Sequence, residues 1–331
     1  MSLKILKAGI LDSIQDMGRF GFQHQGINPT GVMDKFAASV ANTLVGNTST
    51  EAVLELHFPA SVLLFDQPAI IALTGADFNA TINGEPVPVN QPLLINKNSI
   101  LQFHSRKDKA RCYLAIHGGF DIDKWLNSFS TNLKAGAGGV EGKKLKKDDL
   151  IELTSKLVFQ KSIADEDFKI LPWKANQDWG DEKGKEILIL NGNEWDWVDK
   201  RSQQLLLSDS FVITGNSDRM GYRLKGEPLQ TNSKEELVSS AICFGTLQLL
   251  PDGQLIILMA DHQTTGGYPR VANIISAHLP RLAQMNAGEK INFRLTDQAT
   301  AENLLIKQKL HLLQLQNACK LRLENFIHEI N

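Results

Sequence analysis

Residues 53–103 read VLELHFPASVLLFDQPAIIALTGADFNATINGEPVPVNQPLLINKNSILQF. Runs of aliphatic and β-branched residues at 53–56, 61–65, 69–74, 80–82, 93–95 and 100–103 are cut by Asn83-Gly84, Pro86, Pro88 and the NKN of 96–98, and a further run follows at 112–116. Strands this short, with turn residues between them and no room for a crossover helix, predict a β-barrel or sandwich. The strand–helix–strand alternation of a dinucleotide fold is missing.

Towards the amino terminus, residues 3–11 read as a strand that enters a polar loop, Gln15-Asp16-Met17-Gly18-Arg19-Phe20-Gly21. A helix is expected over 33–45, because Val32, Phe36, Val40 and Leu44 recur every four residues and Gly46-Asn47 supplies a stop. Asp34 falls in its first turn, where a carboxylate favours the helix dipole. The alternative is that Asp34 faces a cleft together with Asp16 and Arg19.

Towards the carboxyl terminus, RCYLAIHGG (111–119) ends a strand at paired glycines, and a glycine-rich piece follows at 134–142. That piece fails as a phosphate loop, since Ala137 stands where glycine is needed and Lys144 where a hydroxyl is needed; Glu141 likewise breaks a dinucleotide fingerprint. Polar residues across 159–184 place a domain boundary there. Strand text resumes at 187–190, 211–214, 242–250, 254–259 and 290–295, a helix interrupted at Pro280 is expected over 274–284, and residues from about 297 read as helical. The expected organisation is mainly β, with a first unit over 1–165, a second over 185–296 and a helical tail over 297–331.

Length and charge narrow the function. A chain of 331 residues accommodates two cores, and a net charge of −2 without a concentrated basic face gives no footprint for nucleic acid or an anionic membrane. Three scattered cysteines suit a reduced, cytoplasmic protein. The first residues, broken by Lys4, Lys7 and Asp12, hold no signal-peptide core, and no apolar run of about 18 residues predicts a membrane span. The eight histidines show no ligand spacing, so no metal is expected.

Candidate chemistry lies in two further polar loops. DHQTTGGYPR (261–270) follows a strand and gathers His262, Gln263, Thr264, Thr265 and Tyr268 around Gly266-Gly267, where a backbone can approach a ligand closely or take positive φ. His262 is either catalytic or an ordinary surface imidazole beside Asp261. NSDRMGYRL (216–224) places Arg219 and Arg223 four apart around Tyr222, a spacing that favours a guanidinium clamp on a carboxylate or carbonyl oxygen over two structural salt bridges.

Several of these pieces together resemble a known family. Gln15-Asp16-Met17-Gly18-Arg19, Gly31-Val32-Met33-Asp34 leading into residues 41–47 (ANTLVGN), Thr74-Gly75-Ala76, Tyr113-Leu114-Ala115 with Gly118-Gly119, Ser130-Thr131, residues 217–224, Pro251-Asp252-Gly253-Gln254 and residues 263–269 are similar, in order, to the biotin-dependent carboxyltransferase proteins that include KipA and allophanate hydrolase subunit 2. Lys143, Asp148 and Leu255 depart from the pattern at positions that read as turns or edges. The resemblance implies two cyclophilin-like β-barrel units and a paired subunit sharing a cleft with this chain. It also implies action on an amide or urea. For a free-standing chain of this length the expectation is a hetero-oligomeric, ATP-dependent 5-oxoprolinase that opens 5-oxo-L-proline to L-glutamate, active only with a B-type (KipI-like) and an A-type subunit, which would hold most of the ATP site. Biotin enters only under the alternative of a urea carboxylase-type carboxyltransferase; a non-catalytic KipA-like regulator of a kinase inhibitor is the remaining one. Under the first reading Asp16, Asp34, Arg219, Arg223 and His262 are candidate catalytic residues. Gln15, Arg19, Tyr222, Gln263, Thr264, Thr265, Gly266, Gly267 and Tyr268 are candidate substrate contacts, with Gln263, Thr264, Thr265 and Tyr268 bonding the ring amide.

Overall fold

The computed structural model describes residues 2–154, 167–179, 186–232 and 237–330. Parts of the polar stretch where the sequence places a boundary, 159–166 and 180–184, lie outside them. The chain divides into two compact units that are not contiguous in sequence: residues 1–18, 34–179 and 309–331 form one, and 19–33 with 180–308 the other.

The first unit holds two six-stranded sheets. One runs in the order Leu150–Glu152, Ser2–Lys7, Val62–Phe65, Ile100–Phe103, Ala80–Ile82, Glu85–Pro86, and the other in the order Phe168–Ile170, Pro92–Ile95, Ala69–Gly75, Arg111–Ile116, Val53–His57, Ser13–Gln15. Strand alternation sorts the side chains. Leu54, Leu56, Leu73, Cys112 and Leu114 enter the core shared with Leu3, Ile5 and Phe65. The alternate residues Glu55, Thr74 and Tyr113 point to the opposite face, where the Thr74 hydroxyl donates to the Ala37 carbonyl of helix α1 at 2.7 Å.

Helix α1 spans Lys35–Leu44, and every residue from Phe36 onward is buried. Asp34 lies one position before the helix and not in its first turn: its carboxylate accepts from the Ala37 N–H at 2.8 Å, the geometry of an N-cap. The chain leaves the helix through Gly46 at φ 75°, where an added Cβ would strike Leu323.

In the second unit seven strands close a barrel. Around it run Glu186–Asn191, Arg270–Ile274, Thr246–Leu249, Leu255–Leu258, Gly221–Lys225, Phe211–Ile213 and Lys290–Leu295. All neighbours pair antiparallel except the closing pair, Glu186–Asn191 with Lys290–Leu295, which is parallel. Tyr222, Leu224, Leu247, Leu249, Leu255 and Ile257 fill the barrel. Helix α2 (Lys200–Ser208) is capped by Asp199, which accepts from the Ser202 N–H at 2.7 Å.

The helix expected over 274–284 is replaced by the barrel strand ending at Ile274, a 3-10 turn Ser276–His278 and the short helix α3, Leu279–Ala283. Pro280 sits in the first turn of α3, where a missing N–H costs nothing, so it starts a helix instead of interrupting one. The tail is a single helix, α4, Gln298–Ile330. Asp297 opens it, accepting from the Thr300 N–H at 2.8 Å and hydroxyl at 3.0 Å; these bonds hold its carboxyl below the usual range. Among the described residues no helix is long and apolar enough to cross a membrane.

Candidate functional site

The candidate residues fall into the two units, and each group is built differently. In the first unit, the Asp16 carboxylate accepts from the Ser128 hydroxyl (2.7 Å), the Ser130 hydroxyl (2.6 Å), the Phe129 N–H (2.7 Å) and the Gly18 N–H (2.9 Å). Three of these donors fall on Oδ1 and the Phe129 N–H on Oδ2, and together they fix the 128–130 turn to the end of the Ser13–Gln15 strand. The carboxylate thus holds backbone and hydroxyls in place. Gln15 is fully buried, its amide donating to the Ser13 hydroxyl at 3.0 Å and the Thr131 carbonyl at 3.3 Å. Asp34 caps α1 and its N–H donates to the Tyr113 phenol at 2.8 Å, which in turn donates to Glu55 at 2.9 Å. Burial and the Glu55 carboxylate push the Tyr113 phenol well up.

Lys35, which sequence reasoning passed over, is partly buried at the start of α1; desolvation lowers its pKa against the opposing pull of Asp16. Asp12 is another residue the motifs hid. Its buried carboxylate accepts from the His57 N–H (2.8 Å) and the Ser61 N–H (2.6 Å), and burial pushes it up to about 6.

In the second unit, Arg19 and Arg219 are both buried. Arg19 donates to the Thr30 hydroxyl at 3.2 Å. Arg219 makes a bidentate pair with Asp261 at 2.8 and 3.0 Å and donates to the Gly31 carbonyl at 2.6 Å, while Asn28 donates to the Asp261 carbonyl at 3.0 Å. Arg219 therefore ties residues 28–31 to the barrel. The expected clamp of Arg219 with Arg223 does not form, because a buried guanidinium is bound to its partner carboxylate, and Arg223 points the other way.

Residues 221–225 are a strand and not a loop, so Tyr222 and Leu224 face the core while Arg223 is exposed. Tyr222 is consequently a barrel residue and not a substrate contact. His262 is buried, not a surface imidazole; its Nδ1 lies 2.5 Å from the Gln263 carbonyl. Thr265–Gly266 pairs with Ser240–Ala241, and neither Gly266 nor Gly267 has positive φ. A Cβ on Gly266 would meet the Gln248 amide at 2.6 Å, so that side chain would have to move aside.

On the outer face of the barrel a groove of about 500 Å³ remains open, with Arg223, Gln248, Ile256, Gln263 and Tyr268 among the residues lining it. Strand register aligns three of them: Arg223 lies opposite Ile256, and Ile256 opposite Gln248. Of the sequence candidates, the groove brings together Arg223, Gln263 and Tyr268, and adds Gln248, Asn216 and Asp218. Gln248 alternates in TLQL with Leu247 and Leu249, which fill the barrel, and is itself buried under the loop, its amide donating to the Tyr268 carbonyl at 3.4 Å. Asp218 shapes the groove edge by accepting from the N–H groups of Met220 (2.7 Å) and Gly221 (3.1 Å). An exposed guanidinium beside two amides and a phenol can hold a carboxylate at one end and a planar amide at the other.

Among the described residues no group of three or more His, Cys, Asp and Glu could hold a metal ion. In the glycine-rich loop the N–H groups of Ala137, Gly139 and Gly142 donate to the carbonyls of Asn132, Phe129 and Gly138, so they are turned inward instead of cradling an anion. A cleft of about 570 Å³ beside that loop is lined by Asp121, Asp123, Glu141 and Glu152, which repel a triphosphate. The first unit's loop thus does not fit ATP.

Residues 25–295 match the family described as carboxyltransferase domain, subdomain A and B, and the chain belongs to that family. It is 34% identical over 304 residues to the C-type subunit of 5-oxoprolinase from Haemophilus influenzae, covering 92% of this chain and 94% of the relative. It is 36% identical over 291 residues to the C-type 5-oxoprolinase subunit of Escherichia coli, covering 88% and 90%. Among solved structures it is similar to the urea amidolyase of K. lactis, with a TM-score of 0.86 and 25% identity over 95% of this chain; the chain spans 20% of that much longer protein.

Proposed function

We propose that this chain is the C-type subunit of a cytoplasmic, ATP-dependent 5-oxoprolinase, active on 5-oxo-L-proline together with an A-type and a KipI-like B-type subunit. The observation that carries the reading is the end-to-end likeness, at 34% identity, to a protein named as the C-type subunit of 5-oxoprolinase. The barrel groove supports it. Arg223 would pair with the substrate carboxylate, and Gln263, Gln248 and Tyr268 would bond the lactam N–H and carbonyl, orienting the ring and stabilising charge that develops on its oxygen. Thr264, Thr265 and the two glycines shape the loop that carries Gln263 and Tyr268, and Arg219 and His262 hold backbone of the same unit, while Asp16 and Asp34 hold backbone within the first unit. Lactam opening needs activation, which ATP supplies; with the glycine loop unsuited to phosphate, its binding residues belong to the partner subunits.

A second reading is favoured by the likeness to urea amidolyase: carboxyl transfer from carboxybiotin to a urea-like acceptor, releasing biotin. A urea or ureido group presents the same planar amide edge, so the groove accommodates either. Glutamate release from 5-oxoproline and ATP separates the two. Activity is expected only when all the subunits are combined, and R223A in an assembled set is expected to lower kcat/KM about 10- to 150-fold. An assembled set that releases no glutamate but is inhibited by avidin during urea carboxylation replaces the first reading with the second.

A further inference from the structure

Arg270 closes the DHQTTGGYPR stretch, yet it does not line the groove that Gln263 and Tyr268 help to form. Glu194, itself buried, accepts from three groups of this one residue: the backbone N–H at 2.8 Å, Nε at 2.9 Å and Nη2 at 2.6 Å. Because one carboxylate takes both the main-chain and the side-chain donors, it locks the guanidinium to the backbone that follows Tyr268 and Pro269. The turn that carries Glu194 is fitted to the same spot. Its N–H donates to the Arg270 carbonyl at 3.2 Å, and a Cβ on Gly192 would run into that carbonyl oxygen. The pair is shielded, with 19% of the Arg270 and 7% of the Glu194 side chain exposed, so salt screens it less than a surface pair.

The remaining guanidinium nitrogen, Nη1, lies 3.5 Å from the Ala241 carbonyl. Ala241 stands opposite Thr265, and Ser240 opposite Gly266, in a ladder only two residues long. At the barrel, Arg270 stands opposite Gln248, whose amide reaches the Tyr268 carbonyl. Arg270 therefore holds the loop at two places: where it returns to the barrel, through its own backbone, and at its middle, through the strand that pairs with it. We propose that Arg270, held by Glu194, is a positioning residue for the groove: it fixes residues 263–268 so that the Gln263 amide and the Tyr268 phenol meet the substrate lactam while Arg223, on its own strand, holds the carboxylate. The assignment rests on the groove being the lactam site. A lysine at 270 keeps the charge but not the fork, and a glutamine at 194 keeps the shape but offers a single acceptor oxygen, so R270K and E194Q each break the lock with little change of volume.

The test is made on the assembled set of subunits. In R270K and in E194Q, hydrogen exchange at residues 262–268 is expected to rise about 10-fold over wild type, with the barrel strands 246–249 and 255–258 unchanged. For 5-oxoproline, kcat/KM is expected to fall about 10- to 100-fold. KM rises as part of that fall, because the displaced lactam contacts also bind the ground state. The double variant E194Q/R270K is expected to lose no more than R270K, since both changes break one unit. A wild-type KM, with kcat falling only as the folded fraction falls, makes the pair an ordinary salt bridge and overturns the proposal, as does unaltered exchange at 262–268. R223A, measured in parallel, separates the two levels. R270K without effect where R223A is impaired overturns the positioning role alone, whereas an unimpaired R223A removes the groove reading and this role with it.

Discussion

The Asp16 cluster of the first unit and the groove on the second unit's barrel are both gatherings of polar side chains, yet they spend them oppositely. Around Asp16 the hydroxyls of Ser128 and Ser130 and the Phe129 N–H all converge on one carboxylate. In the groove, Arg223 and Tyr268 stand exposed, with Gln263 between buried and exposed. Polar groups satisfied by the protein hold its shape, and those left towards solvent are available to a ligand. Arg219 and Arg223 bring the same contrast within four residues.

Four substitutions or titrations test that division. The largest effect is expected at Arg219: R219A leaves the Asp261 carboxylate without its bidentate partner and frees residues 28–31, costing about 3–5 kcal/mol in urea denaturation. Near-wild-type stability would make Arg219 a ligand-facing residue after all. Next is the pH response of Asp12. Burial raises its pKa from 3.8 to about 6, so between those values the folded chain keeps a proton that the unfolded chain has released. Its contribution is fully present below pH 3.8 and is lost as pH rises through 6, on the order of 3 kcal/mol in all. Denaturation curves collected across that range should show the decline in wild type and not in D12N.

A smaller cost, about 2 kcal/mol, is expected for D16A, which strands the Ser128 and Ser130 hydroxyls; hydrogen exchange at residues 128–131 should rise with it. Smallest in stability is R223A, within about 0.5 kcal/mol of wild type, because the side chain is exposed. Its effect belongs to kcat/KM in the assembled enzyme, a fall of about 10- to 150-fold for a lost charged hydrogen bond. If R223A melted the barrel while R219A changed only turnover, the assignment of the two arginines would be reversed.

Much of the fold was legible because it rests on periodicity. The four-residue spacing of Val32, Phe36, Val40 and Leu44 marked α1, and the turn-separated aliphatic runs marked the sheets. The site was harder to see because motif richness does not report direction. GYRLK alternates inward Tyr222 and Leu224 with outward Arg223 and Lys225, but the neighbouring Asp218 and glycine made it read as a loop. Arg219 gave no local sign of burial, since its partners, Gly31 and Asp261, are remote in sequence and only the fold assembles them. Gln248 and Asp12 belonged to no motif, and their importance comes from neighbours supplied by other strands.

The parallel pairing of Glu186–Asn191 with Lys290–Leu295 has a consequence for how the protein is made. These are the first and last strands of the barrel in sequence, so the ring stays open until the ribosome has produced residues 290–295. Until then the earlier staves carry unpaired backbone edges, the state most exposed to capture by other nascent chains. Chaperone demand during synthesis should therefore peak late, and a stop codon before residue 290 should yield aggregates instead of a smaller folded product.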